Sequence, residues 1–270
     1  LPASKQNRDD LDLILEAAAG AGKIALSYYG QSPQIWLKTG NSPVTEADLA
    51  ADKYLKDILL TARPDYGWIS EETLDERAAV SSRQRFFVVD PIDGTRAFIE
   101  GIDVWCVSVA VIENGRPVAG VLECPARNET ISALPGGGAD QNGSAIRVQA
   151  ENRPFKVAAP GNYLNKLPEY FLGSIERAPH IASLAYRLAM VARGDLAGTI
   201  VRPNSHDWDL AAADLILSEA GGNVLTAEGK ALTYGLRNTQ TGDYRHGALV
   251  AASGLLMDNM LNIVAGTAFG

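Results

Sequence analysis

Cysteine and histidine are scarce in this chain: Cys106 and Cys124 are its 2 cysteines, and 3 histidines are spread over 270 residues. This excludes a cysteine-built metal site or a dense disulfide framework and argues against a zinc centre of histidines. Both cysteines lie in apolar, strand-like surroundings and read as buried free thiols in a reducing compartment. No Lys/Arg block or basic tail is present, and 24 basic against 32 acidic side chains leave a formal charge of -8. A nucleic-acid polymer is therefore disfavoured as partner, whereas a small anion can still bind wherever a cation inverts the local field. The apolar runs are too short and too often interrupted by charge to span a membrane, and Leu1 to Leu11 lacks the basic-then-apolar order of a secretion signal. The expectation is a soluble cytoplasmic protein. Its length suits one large domain or two closely packed lobes.

The chain is rich in carboxylates placed where apolar segments end. Glu71-Glu72 follows Tyr66-Gly67-Trp68-Ile69-Ser70, and Asp90-Pro91-Ile92-Asp93-Gly94-Thr95 follows Phe86-Phe87-Val88-Val89. Trp208-Asp209 opens a run of small residues, Ala211 to Ala213. Periodicity predicts a helix over Arg8 to Tyr29, a mostly looped Lys38 to Asp48, and a helix from there toward Thr61 capped by Thr45 with Asp48 three residues on. Strands are expected at Tyr66 to Ser70, Phe86 to Val89, Trp105 to Ile112, Pro117 to Glu123 and Glu129 to Ala133, the last three as a meander turned at Asn114-Gly115. Gly136-Gly137-Gly138 lacks the lysine and hydroxyl of a nucleotide-triphosphate loop and reads as a hairpin connection. Further helices are expected at His180 to Ala192 and Asp209 to Glu219, the latter stopped by Gly221-Gly222. Residues 1–149 form an N-terminal α+β lobe carrying most candidate ligands. Residues 150–270 form a C-terminal α/β lobe, packed with the first as one catalytic unit.

Around the central motif, Asp90 and Asp93 can face a cation pair while Gly94 lets backbone amides approach a phosphate and Thr95 adds a hydroxyl. Taken singly, Asp90 also suits a turn, and Asp93 and Thr95 suit helix caps. Those roles explain the whole cluster poorly. Hard cations prefer several oxygen ligands, which recruits Glu71; Glu72 supports it or faces solvent. Asp209 is either a ligand or the cap of its own helix, with Asp207 and Asp214 as alternatives. His206 can stabilise an anion or a leaving group.

These positions resemble the inositol monophosphatase superfamily, from about Lys38 through Gly222. The resemblance implies a layered α-β-α-β-α sandwich of α/β (α+β) character, usually dimeric, that hydrolyses small anionic phosphomonoesters. It implies that Glu71, Asp90 and the carbonyl of Ile92 hold one magnesium ion and that Asp90, Asp93 and Asp209 hold another, with two or three ions in all. It further implies that Asp48 and Thr95, with Glu71, position the attacking water, and that Asp93, Gly94 and Thr95 contact phosphate. Mn2+ is an acceptable substitute for Mg2+, and lithium inhibition is expected.

Lys38 followed by Asn41-Ser42-Pro43-Val44-Thr45-Glu46-Ala47-Asp48 resembles the bacterial 3'(2'),5'-bisphosphate nucleotidases, which remove the 3' phosphate from adenosine 3',5'-bisphosphate. Seven residues before Asp209, where the inositol-specific branch commonly carries a carboxylate, stands Arg202. Arginine serves a second anionic group better than a sugar hydroxyl, although an exposed loop charge before Pro203 is the ordinary alternative. Arg187 is another candidate phosphate partner, although its helical position reads more simply as a solvent-facing side chain. Substrate specificity is thus assigned to Arg202, Lys38 and His206. Inositol 1-phosphate or another sugar phosphate is the alternative substrate, and a non-enzymatic regulatory protein the contrasting class. N-terminal apolar segments suit a homodimer interface or the monomer core equally.

Overall fold

The computed structural model describes residues 4–38, 42–73, 84–149, 154–164, 169, 173–235 and 244–265. Helix α1 spans Lys5–Tyr28 and starts three residues before the expected Arg8, because the Ser4 hydroxyl accepts from the Asn7 amide and caps it. Its buried Ile14, Ala17, Ala18, Ala21 and Ala25 recur at helical spacing, so one stripe faces the core. Strands β1 (Ile35–Leu37) and β2 (Pro43–Thr45) form a small antiparallel pair, the second of them within the Lys38 to Asp48 stretch expected to be mostly loop. Helix α2, Glu46–Ala62, has the expected cap: Thr45 Oγ1 accepts from the Asp48 amide, while Asp48 Oδ2 accepts from the Thr45 amide at 2.8 Å.

Seven strands follow in one sheet in sequence order: β3 (Gly67–Ser70), β4 (Arg85–Asp93), β5 (Cys106–Glu113), β6 (Arg116–Cys124), β7 (Glu129–Leu134), β8 (Gly138–Gln141) and β9 (Ser144–Ile146). Only β3 and β4 run parallel; the rest is a meander. Asn114 and Gly115 both have positive φ at the β5–β6 turn, as a tight hairpin between twisted strands requires. Alternate residues part to the two faces: Phe87, Val89, Val107, Val109 and Val121 pack on α1 and α2, whereas Phe86, Val88, Ala110 and Leu122 face the opposite layer. Burying each of the large side chains contributes roughly 1.5–3 kcal/mol, so both faces must be covered.

The second cover is supplied by the C-terminal half. A short helix α3 (Thr95–Ile99) leaves β4, and beyond residue 153 come β10 (Phe155–Ala158), α4 (Gly161–Leu164), β11 (Ile175–Arg177), α5 (Leu184–Ala192), β12 (Gly198–Val201), α6 (Asp207–Glu219), β13 (Asn223–Thr226), β14 (Leu249–Ala252) and α7 (Gly254–Ala265). Their five strands form a separate sheet in the order β11-β10-β12-β14-β13. Helices α5 and α6 share one buried cluster with both sheets, and α7 closes the outer face of the second through Leu256, Met257, Met260 and Val264. The architecture is the expected α-β-α-β-α sandwich.

Two contacts fix the position of α6 in the middle layer. A Cβ on Gly120 of β6 would lie 3.1 Å from both Cα and O of Ala212, so glycine and a run of alanines bring helix and sheet backbones together. The carboxylate of Glu219, near the other end of α6, accepts from the amides of Gly136 and Gly138 at 2.9 Å each. Those amides are thus engaged in a hairpin turn. No described helix is long and apolar enough to cross a membrane.

Candidate active site

In a regular strand, residues three apart point to opposite faces, so Asp90 and Asp93 would not meet. The register of β4 shifts between them: Asp90 opposes Ser108 and Asp93 opposes Cys106, which sets three steps on one strand against two on the other. This bulge restores both carboxylates to one side. Pro91 falls in the bulge, where a missing amide donor is tolerated. The expected turn at this point is therefore an irregularity within a strand that runs to Asp93.

Asp209 arrives from the first turn of α6. Ser108 Oγ donates to the Trp208 carbonyl at 3.2 Å, and Asp209 Oδ2 accepts from the His206 amide at 2.7 Å. One oxygen each of Asp90, Asp93 and Asp209 lies within 4.8 Å of the other two. Asp93 is also tied to the middle layer: its Oδ2 accepts from Ser183 Oγ and, at 2.6 Å, from the Ala185 amide at the start of α5. Its capping role is thus toward α5 rather than its own short helix. Burial, then the neighbouring Asp209, push Asp93 up to about 7, and burial with Glu71, Asp93 and Asp209 holds Asp90 well above the usual carboxylate range.

Gly94 has φ +98°, and a Cβ there would stand 3.1 Å from Ser183 Cβ and the Val104 carbonyl. Only glycine fits that backbone without strain. Thr95 Oγ1 lies 3.2 Å from Asp48 Oδ1 and 3.1 Å from the Ile92 carbonyl, so its single proton serves one acceptor at a time. Asp48 Oδ2 is held at 2.6 Å by Thr45 Oγ1, which leaves Oδ1 directed at Thr95. Burial raises the Asp48 carboxyl above its ordinary value.

A cleft of about 580 Å3 is lined by Glu71, Asp90, Ile92, Asp93, Gly94, Thr95 and Asp209, and Asp48 reaches it only through its contact with Thr95. Lys38 Nζ bridges Glu71 and Glu72 at 2.7 Å to each. Burial, partly opposed by Lys38, pushes Glu72 up to about 7. A second compartment of about 500 Å3 adjoins the first, sharing His180 and Asp209 with it. Arg202 is exposed and lines this second compartment. His206 lines neither; it stacks on Trp208 with centroids 4.4 Å apart and accepts from Arg245 Nε.

The alternatives to Asp209 are committed elsewhere. Asp207 accepts from the Gly235 amide and pairs with His246 at 2.7 Å, and Asp214 accepts from the Tyr234 hydroxyl. Sequence reasoning missed Ser183 and His180, and of its two readings of Arg187 it preferred the solvent-facing one, whereas the Nε is buried and finds no acceptor among the described residues. One charge within the otherwise apolar Leu184–Ala192 was the available signal.

The sequence matches the family model described as the inositol monophosphatase family over residues 7–264. The chain belongs to the inositol monophosphatase family. It is 30% identical over 262 residues to a Thermotoga maritima fructose-1,6-bisphosphatase/inositol-1-monophosphatase, covering 95% of this chain and 96% of that protein. It is 31% identical over 230 residues to the Escherichia coli 3'(2'),5'-bisphosphate nucleotidase CysQ, with 83% and 93% covered. Among solved structures, the extragenic suppressor protein suhB of Bartonella henselae superposes with TM-score 0.81 at 30% identity, covering 96% of this chain and 100% of that one. The family's enzymes hydrolyse phosphate monoesters with metal ions, and this chain is a phosphatase of that family.

The donor set fits a hard divalent cation. Three carboxylates, two of them buried, stand close enough to repel one another, and all their ligand atoms are oxygens. With no thiolate or imidazole in the cluster, the chemistry favours magnesium-like over zinc-like ions.

Proposed function

We propose that this chain is a magnesium-dependent phosphatase that removes the 3' phosphate from adenosine 3',5'-bisphosphate. The observation that carries the substrate choice is Arg202 beside a second compartment that opens from the acidic cleft at Asp209. The arrangement suits a substrate whose reacting phosphate occupies the acidic cleft while another anionic group occupies its neighbour. The nucleotidase of Escherichia coli is one of several relatives of comparable similarity, so the substrate choice rests on the compartment and not on the comparison.

In this reading Glu71, Asp90 and the Ile92 carbonyl hold one ion, and Asp90, Asp93 and Asp209 hold another, with two or three Mg2+ in use and Mn2+ able to replace them. Such ions supply charge that neutralises the carboxylate cluster, polarises phosphate oxygens and lowers the pKa of water. The chain's own groups orient the reaction. Gly94 and Thr95 border the phosphate, and Thr95 Oγ1 can accept a proton from water while donating its own to Asp48 Oδ1. Asp48, raised by burial, is the better proton acceptor for it. Lys38 holds Glu71 and Glu72 in place until cations arrive. The same reading carries a two-lobed catalytic unit divided near residue 150, a homodimer, lithium inhibition and a cytoplasmic setting.

The test is kcat/KM for phosphate release, with magnesium, from adenosine 3',5'-bisphosphate, inositol 1-phosphate and histidinol phosphate. The nucleotide is expected to lead by tenfold or more, on the order of one charge-assisted hydrogen bond. In Arg202→Ala that lead should shrink. Preference for inositol 1-phosphate would keep the phosphatase chemistry and overturn the substrate.

A further inference from the structure

The two compartments that meet at His180 and Asp209 differ in charge. The first holds Glu71, Asp90, Asp93 and Glu100 against Arg96. The second holds Arg187, Arg202 and His180, and among the described residues its sole carboxylate is Asp209 at the junction. Its walls include Pro160, Pro179, Ile181 and Ile200, which offer no charge to a ligand. A volume of about 500 Å3 is within the range of small-molecule sites.

Two polar groups of this compartment are unsatisfied. Arg187 Nε and Ser205 Oγ are both buried and without a hydrogen-bond partner among the described residues. A buried guanidinium nitrogen without an acceptor is costly, and a buried hydroxyl likewise. Arg187 stands on α5, the helix whose first turn is fixed to Asp93 through Ser183 and Ala185. Its position is therefore rigidly related to the acidic cluster. Burial lowers its pKa, and the charge of Asp93 opposes that lowering.

From the basic compartment and its two unsatisfied donors, we propose that Arg187, with Ser205, forms the floor of a second-anion subsite, which receives a phosphate that is not hydrolysed. Arg202 lies at the exposed side and adds a second cation. Arg187 accordingly acts with Arg202 to make a bisphosphate preferred over a monoester of the same body. This assignment rests on the two-anion reading of the substrate, but not on that substrate being a nucleotide. The planar fork of arginine suits a phosphate, and its rigid seat on α5 reduces the entropy lost on binding.

The experiment compares wild type, Arg187→Met and Arg187→Lys on two matched pairs: adenosine 3',5'-bisphosphate against adenosine 3'-monophosphate, and fructose 1,6-bisphosphate against fructose 1-phosphate. In the wild type at least one bisphosphate should exceed its partner in kcat/KM. Arg187→Met should reduce that ratio by about 10- to 100-fold, and Arg187→Lys by less, because charge persists without the fork. A readout independent of turnover is equilibrium dialysis of adenosine 5'-monophosphate, or fructose 6-phosphate if the sugar pair leads, against metal-free protein. Binding should weaken in Arg187→Met by a similar factor, while its thermal midpoint holds or rises, since no described hydrogen bond of the guanidinium is lost.

A ratio that leads only for the sugar pair would overturn the nucleotide reading and keep the subsite. Equal losses on bisphosphate and monophosphate, with or without a fall in thermal midpoint, would overturn the role of Arg187 and leave the nucleotide reading standing. No preference for either bisphosphate in the wild type would overturn both.

Discussion

A threonine hydroxyl between two acceptors has one proton to give, and Thr95 stands 3.2 Å from Asp48 Oδ1 and 3.1 Å from the Ile92 carbonyl. In the proposed mechanism its oxygen accepts from water while its proton is donated to Asp48 Oδ1. Thr95→Val keeps the size and removes that relay, so kcat should fall by about 100-fold with little change in KM, whereas Thr95→Ser should retain most activity. Steady-state kinetics of the two variants checks this, and similar rates in both would remove Thr95 from the proton path. At this scale the sequence was most readable where several groups of one kind crowd a short segment. Asp90, Asp93 and Gly94 stood out for that reason. Ser183 and His180 did not, because one serine and one histidine acquire meaning only when α5 is folded against β4.

At the scale of elements, close backbone approach places Asp209. The α-carbon of Gly120 faces Ala212 so closely that any Cβ would stand 3.1 Å from helix backbone. Gly120→Val should push α6 outward, lower stability by about 1–3 kcal/mol and reduce turnover by moving Asp209 from Asp90 and Asp93. Chemical denaturation alongside magnesium-dependent phosphate release measures both. Retained stability and activity would show that the helix has room to adjust. Helices α1 and α2 were legible because one face of each is apolar and Ser4 or Thr45 caps it. The meander was legible from alternating apolar residues and the Asn114-Gly115 turn. The second sheet was not, since β10 to β14 are 3 or 4 residues long and give no lasting period. The bulge between Asp90 and Asp93 was equally hidden. It is a property of the pairing with β5, not of either strand alone.

For the whole molecule, sheets on both sides of α5 and α6 bury the middle layer, and Asp214 is buried there. Burial pushes it up to about 6 despite the Tyr234 hydroxyl, Arg116 and His246, all of which favour its charge. The folded value lies above the ordinary 3.8, so the folded state holds a proton that the unfolded chain releases between about pH 4 and pH 6. The relative stability of the protonated form is present below that window and lost as pH rises through it. Asp214→Asn keeps an acceptor for Tyr234 and removes the cost of burying charge. Its stability relative to wild type should therefore grow from pH 4 to pH 6 and level off near 3 kcal/mol at most, about two pKa units. Thermal or urea unfolding across pH 4–8 reads the difference, and a constant offset would contradict the burial argument.

The layered sandwich serves to carry three carboxylates from a bulged strand and a distant helix to one point. Their convergence is tested most directly by titrating magnesium into metal-free wild type and Asp90→Asn by calorimetry, with phosphate release followed on the same samples. Saturable binding and magnesium-dependent release are expected in the wild type. Both should be lost or weakened by about 100-fold or more in a variant whose circular dichroism is unchanged. Wild-type binding and turnover in a correctly folded Asp90→Asn protein would contradict it.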